Sequence, residues 1–154
     1  MEVRFYHFEK TSLEKGCARL LERVLGAGQR AVLYCADKER LAHLDTVLWT
    51  YSSAAFLPHG TEKDGYATDQ PIWLTDKWEN PNGADLVVIL DADVVQDERV
   101  FTRCLDIFDG SHDSALEKAR TRWRLYRDRG YHLAYWKQNA QGEWETPQAR
   151  AQTT

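Results

Sequence analysis

DLVVILDA, residues 85–92, is the clearest strand pattern in this chain. Five consecutive apolar residues lie between polar ends, and the run is too short for a typical helix, so the pattern predicts a strand. A second run, RAVLYCA at residues 30–36, has the same continuous apolar centre. Such runs are typical of strands that are buried on both faces, as in a parallel sheet.

On both sides of residues 85–92, patterns typical of strands alternate with patterns typical of helices. Further strands are expected at residues 3–8, 52–60, 71–76 and 131–138, with the 71–76 strand near a sheet edge because it begins with proline. Helices are predicted from a capping box of Thr11 and Glu14, from Asp37, from about Asp97 to Gly110, and from Asp113 or Ser114. The alternation predicts a single α/β domain over residues 1–138, with a mainly parallel sheet flanked by helices. Residues 139–154 lack apolar periodicity and are predicted to form a flexible C-terminal tail.

Composition places bounds on the function. The chain of 154 residues has a formal net charge of −4, which disfavours a protein that coats DNA directly. It contains no apolar run long enough to cross a membrane, and its N-terminus lacks the pattern of a secretion signal. Three widely spaced cysteines are typical of reduced core thiols. We therefore expect a cytoplasmic protein without membrane contact.

Motifs for catalysis or cofactor binding are weak. The turns after the first two strands contain neither G-x-G-x-x-G nor a lysine-bearing phosphate loop. Asp91 and Asp93 follow the central strand and could hold Mg²⁺, although aspartates are also common in turns and caps. A Cys35 nucleophile with His7 or His59 as base is a further possibility, against a core role for Cys35. We predict no cofactor and no metal, and keep a small nucleotide- or metal-dependent enzyme using Asp91 and Asp93 as the alternative.

The segment ALEKARTRWRLYRDRG, residues 115–130, carries six basic and two acidic residues in an acidic chain. At helical spacing, Arg120, Arg124 and Arg127 border an apolar sector, beside Trp123. An aromatic ring flanked by guanidinium groups suits a ligand with an apolar group and negative charges. The other interpretation is an amphipathic helix with Trp123 in the core and solvated arginines.

Three stretches in this order resemble the chi subunit family of bacterial DNA polymerase III, an accessory protein of the clamp-loader assembly. They are RFYHF at 4–8, LDTVLWTYSSAAFLPHG at 44–60, and ARTRWRLYRDRGYHLAYWK at 119–137. The resemblance implies a non-catalytic α/β domain related in shape to nucleotide-binding folds. It also implies two partners: a psi subunit, and the acidic C-terminal tail of single-stranded DNA-binding protein, which ends in phenylalanine. DNA would then be met only indirectly.

The resemblance also implies which residues bind that tail. They are Trp49, Phe56, Arg120, Trp123, Arg124, Arg127 and Gly130. The aromatic residues would receive the terminal phenyl ring, and Arg120 or Arg124 would pair with the terminal carboxylate. Asp109 stands where the family often has an apolar residue and could repel an acidic peptide. Direct binding of single-stranded DNA to the same arginine and tryptophan face is a third hypothesis. The surface for the psi subunit cannot be located from these motifs.

Overall fold

A computed structural model describes residues 1–51, 57–90, 93–139, 141, 144–145 and 148–149. The described residues form one α/β domain in which seven strands make a single sheet, in the order β3-β2-β4-β5-β1-β6-β7. Six of these strands are parallel, and β7 pairs antiparallel to β6. The predicted fold class is therefore confirmed.

The elements follow one another in alternation. The strands are β1 (Glu2–Phe8), β2 (Ala31–Tyr34), β3 (Ile72–Thr75), β4 (Leu86–Leu90), β5 (Arg103–Asp109), β6 (His132–Lys137) and β7 (Gln148–Ala149). The helices are α1 (Leu13–Gly26), α2 (Lys38–Thr50) and α3 (Asp113–Asp128), with a short 3₁₀ turn at Ala67–Asp69. None of the helices in the described ranges is long and apolar enough to span a bilayer.

The central strand of the prediction, β4, lies between β2 and β5, and all five of its residues are buried. Its neighbour β2 is also buried along its whole length. The strand that begins after Pro71 is β3, which forms one edge of the sheet as predicted. Continuous apolar runs thus identify the middle of this parallel sheet, because both of its faces are covered.

The two faces of the sheet are covered by different helices. On one face, α1 and α2 pack on Tyr6, Leu33 and other side chains of the strands. On the opposite face, α3 packs through Ala119 and Tyr126 on a core that contains Val3, Phe5 and Phe108, among others. The chain leaves β1 toward the α1 face and leaves the neighbouring β5 toward the α3 face.

The prediction of a helix from about Asp97 to Gly110 is wrong, because residues 103–109 form β5, between β4 and β1. The spacing of Val100, Cys104 and Phe108 fits a helix, and the charged Asp106 interrupts the apolar run. In the structure Asp106 is fully buried in β5, where Arg122 of α3 forms an ion pair with it. The partner that makes an acidic residue tolerable in a buried strand is therefore 16 residues away.

The three helices that do form begin where the sequence predicts, except for one cap. Asp37 caps α2, and α3 begins at Asp113, as predicted. Helix α1, however, is capped by Ser12, whose hydroxyl accepts from the Lys15 amide, and not by Thr11. The Thr11 hydroxyl instead accepts a hydrogen bond from the amide of Gln138, which lies just after β6.

Two regions predicted from sequence are described only in part. A strand was expected at residues 52–60; residues 52–56 lie outside the described part, and Gly60 forms an isolated bridge with Trp73. Within the predicted tail, Trp144 bridges to Gln138, and Ala149 and Gln148 pair with β6. The domain boundary at residue 138 and the flexibility of residues 139–154 stay predictions.

Candidate functional site: a basic and aromatic cleft along helix α3

Helix α3 positions the arginine-rich segment against the sheet. Its inner side carries Ala119, Arg122 and Tyr126, which are buried, while Arg120 and Arg124 are exposed. The helix ends at Asp128, and two residues later Gly130 has a φ of 81°, in the left-handed region that favours glycine. The amide of Tyr131 then bonds to the Tyr126 carbonyl at 3.1 Å, which turns the chain into β6. Gly130 therefore shapes the turn that follows the helix, and its part in binding the tail stays a prediction.

A buried ion pair fixes the rotation of α3. The guanidinium of Arg122 donates two hydrogen bonds to the carboxylate of Asp106, at 2.7 Å and 2.8 Å. The side chains are 4% and 0% exposed, respectively. A two-pronged pair in this environment is strongly directional, because a misaligned guanidinium would leave a buried charge without its hydrogen bonds. Arg122 thus serves the core, whereas its neighbours at 120 and 124 face outward.

Trp123 provides an aromatic surface between α3 and the sheet, and this surface, together with the arginines beside it, is called the α3 cleft. It is half-buried, and its ring lies 5.2 Å from that of Phe5 and 6.2 Å from that of Tyr135. Phe5 and Tyr135 are direct neighbours in the parallel pairing of β1 and β6. Neither residue was among the predicted site residues, although the alternation of side chains along the two strands places both toward α3. The Trp123 ring therefore packs on the core and also leaves part of its surface open to solvent. Both roles suggested by the sequence, core residue and ligand contact, are compatible with this position.

Arginines line the outer side of this cleft. Arg120, Arg124 and Arg127 follow one another at spacings of four and three residues, and Trp123 lies three residues after Arg120 and four before Arg127, so all four share one flank of α3. Arg120 contacts Glu117 at 3.3 Å, and Arg127 contacts Asp128 at 3.4 Å. Ion pairs at such surface positions contribute little to stability, so an anionic ligand can replace them at low cost. The structure thus brings together four of the predicted site residues, with Gly130 at the end of the helix.

A hydrogen-bonded chain supports the cleft from the sheet side. The Tyr135 hydroxyl is hydrogen-bonded to His7 Nδ1, and His7 Nε2 lies 2.8 Å from the Glu9 carboxylate. Burial lowers the pKa of His7, against the opposing effect of Glu9. The neutral imidazole fits this network if Nε2–H donates to Glu9 and Nδ1 accepts from Tyr135. Burial also raises the pKa of Tyr135 to about 12, so the phenol keeps its proton and can donate.

The structure does not bring Trp49 to this cleft. Trp49 lies at the end of α2, which packs on the opposite face of the sheet from α3. Its side chain is exposed, at 52%, and its ring lies 4.2 Å from the ring of His59. Phe56, the other aromatic residue expected here, lies outside the described residues. The combination of middle and closing motifs therefore does not make one pocket around Trp49 and Trp123.

Asp109, which was expected to disturb the pocket, is engaged in the turn before α3. One of its carboxylate oxygens accepts from the amide and the hydroxyl of Ser111, and the other lies 3.4 Å from His112. It stands at the end of β5, on the chain before α3 begins. Its carboxylate is thus held toward the 110–112 turn.

The residues of the alternative enzyme hypothesis form no reactive group in the described part of the chain. Burial raises the pKa of Cys35, which favours the thiol over the nucleophilic thiolate. His7 is hydrogen-bonded within its own chain of contacts, and His59 contacts Asp45 at 2.9 Å. Asp93 is described but Asp91 is not, and the described residues contain no cluster of three candidate metal ligands.

Comparison with known proteins identifies the family. A family model described as DNA polymerase III chi subunit, HolC, matches residues 1–134. A protein of Rickettsia prowazekii named probable DNA polymerase III subunit chi is 34% identical over 89 residues, which is 58% of this chain and 54% of that protein. This chain therefore spans only about half of the Rickettsia relative that it matches.

Two further relatives are matched over most of their length. The DNA polymerase III subunit chi of Pseudomonas aeruginosa is 30% identical over 122 residues, covering 79% of this chain and 82% of that protein. The subunit chi of Escherichia coli is 28% identical over 116 residues, covering 72% and 77%. The match of the family model over most of the chain, together with these relatives, shows that the chain belongs to the DNA polymerase III chi subunit family, a family of replication proteins.

Proposed function

We propose that this protein is a non-catalytic adaptor of the replication machinery. In this proposal it binds the acidic C-terminal tail of single-stranded DNA-binding protein in the α3 cleft. Its relatives are named as a subunit of DNA polymerase III, which supports a role inside that assembly. The observation that carries the proposal is the row of Arg120, Arg124 and Arg127 beside the half-buried Trp123.

The chemistry of the cleft matches an acidic peptide that ends in an aromatic residue. The terminal phenyl ring would lie against Trp123, close to Phe5 and Tyr135, where apolar surface is partly exposed. A guanidinium of Arg120 or Arg124 would pair with the terminal carboxylate, and the remaining arginines would meet acidic side chains upstream. Because the Asp106–Arg122 pair fixes the rotation of α3, the ligand would meet a helix flank that needs no reorientation.

The proposed tail-binding site contains fewer residues than the sequence alone suggested. It keeps Arg120, Trp123, Arg124 and Arg127 as contacts and Gly130 as the shaping residue, and it leaves Trp49 out of the tail-binding cleft. A psi-like subunit is proposed as a second partner on the strength of family membership. We further propose that the protein acts in the cytoplasm, and that the α3 cleft itself reaches DNA only through the bound protein tail.

Titration with a labelled peptide tests this function. The peptide would carry the acidic tail and end in phenylalanine with a free carboxylate; one control peptide lacks the phenylalanine and another has an amidated end. We expect micromolar binding of the complete peptide, about −7 to −8 kcal/mol. Affinity should fall with added salt, because charges contribute part of the binding free energy.

The control peptides decide the outcome. If the α3 cleft is the binding site, both control peptides should bind clearly more weakly than the complete peptide. The first lacks the phenyl ring that would contact Trp123, and the second lacks the charge of the terminal carboxylate. Equal affinity for all three peptides would contradict the proposal, because a non-specific attraction between acidic peptide and basic helix would then be sufficient.

A further inference from the structure

A second basic and aromatic groove lies on the other face of the sheet, between α1 and β6. Its cavity volume is about 450 Å³, within the range of small-molecule and peptide sites. Arg19 and Arg23 of α1 form one side, and Tyr6, Trp136 and Trp144 form another. The groove belongs to neither the α3 cleft nor the surface around Trp49.

The charges in this groove have a single sign. Arg19 and Arg23 are its charged lining residues, and no carboxylate of the described chain lines it. Both side chains are exposed, and within the described ranges neither has an ion-pair or hydrogen-bond partner. By contrast, the cavity beside Lys38 and Asp45 and the cavity beside Glu14 and Arg40 are lined by both signs of charge. Of these three cavities among the described residues, the α1 groove is the one whose charge favours an anion.

Flat aromatic surface accompanies the two arginines. The rings of Tyr6 and Trp136, which are direct neighbours across β1 and β6, lie within 9° of parallel with centroids 6.2 Å apart. Trp144 meets Tyr6 and Phe8 edge-on, at 5.4 Å and 5.0 Å. Gly16 allows the Phe8 ring to lie against α1, where a Cβ atom would overlap it. Trp136 and Trp144 are both half-buried, so part of each indole faces solvent.

The polar atoms of the groove point to the same class of ligand. Indole Nε1 of Trp136 is buried and has no hydrogen-bond acceptor among the described residues. Gln138, which also lines the groove, is occupied: its side-chain oxygen accepts from the amides of Glu9, Lys10 and Thr11. The groups left over are donors, and a donor-rich groove requires a ligand rich in acceptors.

We propose that this groove binds single-stranded DNA directly, with a base stacked on the tryptophans and phosphates held by Arg19 and Arg23. Aromatic platforms next to a basic groove are the general means of binding single strands without sequence preference. The two guanidinium groups lie one helical turn apart, so each can contact one phosphate. The chain lacks the glycine-rich loops that cradle the phosphates of free nucleotides, which favours a strand as the ligand.

The site would hold one or two nucleotides, so the binding would be weak and strongly dependent on charge. With two phosphate contacts, the logarithm of the affinity should fall with the logarithm of the salt concentration with a slope of about −1.4. Replacing one arginine should reduce this slope by half. The overall acidic charge of the protein is consistent with a short contact at this groove.

Fluorescence anisotropy of a labelled oligothymidine at low salt tests the proposal on the full chain. Arg19→Ala/Arg23→Ala should weaken binding at least tenfold, and both residues are exposed, so we expect the variant to fold. Arg120→Ala/Arg124→Ala is the matched control, with two arginines removed from α3, and it should bind the oligonucleotide within a factor of two of the wild-type protein. Trp136→Leu should weaken binding about tenfold, after thermal unfolding has shown that this variant is folded.

Three results would overturn the proposal. The first is the absence of oligonucleotide binding by the wild-type protein at low salt, or an equal loss in both arginine variants. The second is competition by free thymidine monophosphate as strong as competition by the oligonucleotide, which would make the groove a nucleotide site. The third is loss of acidic-peptide binding in Arg19→Ala/Arg23→Ala with oligonucleotide binding intact, which would make it a peptide site. Binding of the acidic peptide is measured in a separate titration, so the result for the α1 groove does not decide whether the α3 cleft binds the tail.

Discussion

The two faces of the sheet are covered in different ways. On the α1 and α2 face, the helices pack on a core of aliphatic, aromatic and thiol side chains such as Leu21, Leu44 and Ile107. On the α3 face, a core that includes Phe5, Phe108 and Tyr126 is accompanied by the buried ion pair of Asp106 and Arg122. Apolar packing is non-directional, whereas a buried ion pair tolerates one alignment of its two groups.

The buried ion pair affects the orientation of the α3 cleft as well as the stability of the fold. A helix held only by apolar contacts can repack with small rotations at modest cost, whereas α3 would expose or misalign a buried charge if it rotated. The flank of α3 that carries Trp123 and the exposed arginines is therefore held in one orientation relative to the sheet. We infer that the ion pair stabilises the orientation of the cleft in addition to the fold.

The largest effect is expected from breaking the ion pair. Arg122→Ala would leave the Asp106 carboxylate buried without its partner, so the free energy of unfolding should fall by about 3–5 kcal/mol. Urea denaturation followed by tryptophan fluorescence measures this change. Arg124→Ala, an exposed substitution on the same helix, is the control and should cost less than about 0.5 kcal/mol. Equal free energies of unfolding for the two variants would show that the buried ion pair does not contribute to the stability of the α3 face.

A core substitution on the opposite face provides the direct comparison. Leu21→Ala removes a fully buried side chain from α1, and should lower the free energy of unfolding by about 2–5 kcal/mol. Peptide binding by the folded protein should stay unchanged, since the α3 cleft lies on the other face. A loss of affinity in the folded Leu21→Ala protein would mean that the faces are coupled.

Arg124→Ala tests the cleft itself. It removes an exposed guanidinium from the row beside Trp123, and should weaken binding of the acidic peptide by at least ~1.4 kcal/mol, or tenfold. Isothermal titration calorimetry would measure the change, with Arg23→Ala on the opposite face as the matched control. An unchanged isotherm would remove Arg124 from the site.

Gly130→Ala tests how the end of α3 is shaped. Because Gly130 has a positive φ, an alanine there should cost about 1 kcal/mol of stability, even though open space surrounds the position of its Cβ atom. Thermal unfolding would measure the loss, and Gly26→Ala, at a helical glycine with open space as well, is the control. A loss no larger than that of the control would show that the conformation at residue 130 is easily changed.

The smallest effect on tail binding is expected at Trp49. Because α2 and α3 lie on opposite faces, Trp49→Ala should change the affinity for the acidic peptide by less than about 0.5 kcal/mol. The same titration measures it, with Trp123→Ala as the positive control. A large loss in Trp49→Ala would restore the single pocket that the two sequence motifs suggested together.

The periodicity of apolar residues predicted most of the helices and strands, because this pattern involves only residues that are close together in the chain. The buried strands β2 and β4, the edge strand β3 and the start of α3 were all predicted correctly. The misassigned β5 contains Asp106, and no local pattern reveals that Arg122 will neutralise it. The arginine row at the cleft was visible at helical spacing, but Phe5 and Tyr135 join it only because β1 and β6 are adjacent.

The fold class, the family and the row of arginines beside a tryptophan could be predicted from the amino-acid sequence, because they depend on composition and on short-range spacing. Long-range packing, in contrast, places Trp49 and Trp123 on opposite faces of the sheet, and buries Arg122 in the core while Arg120 and Arg124 stay at the surface. It also assembled the groove of Arg19, Arg23 and Trp136 from elements more than 100 residues apart. The physical reason is that strand order, and with it the face each helix covers, is set by long-range packing and pairing.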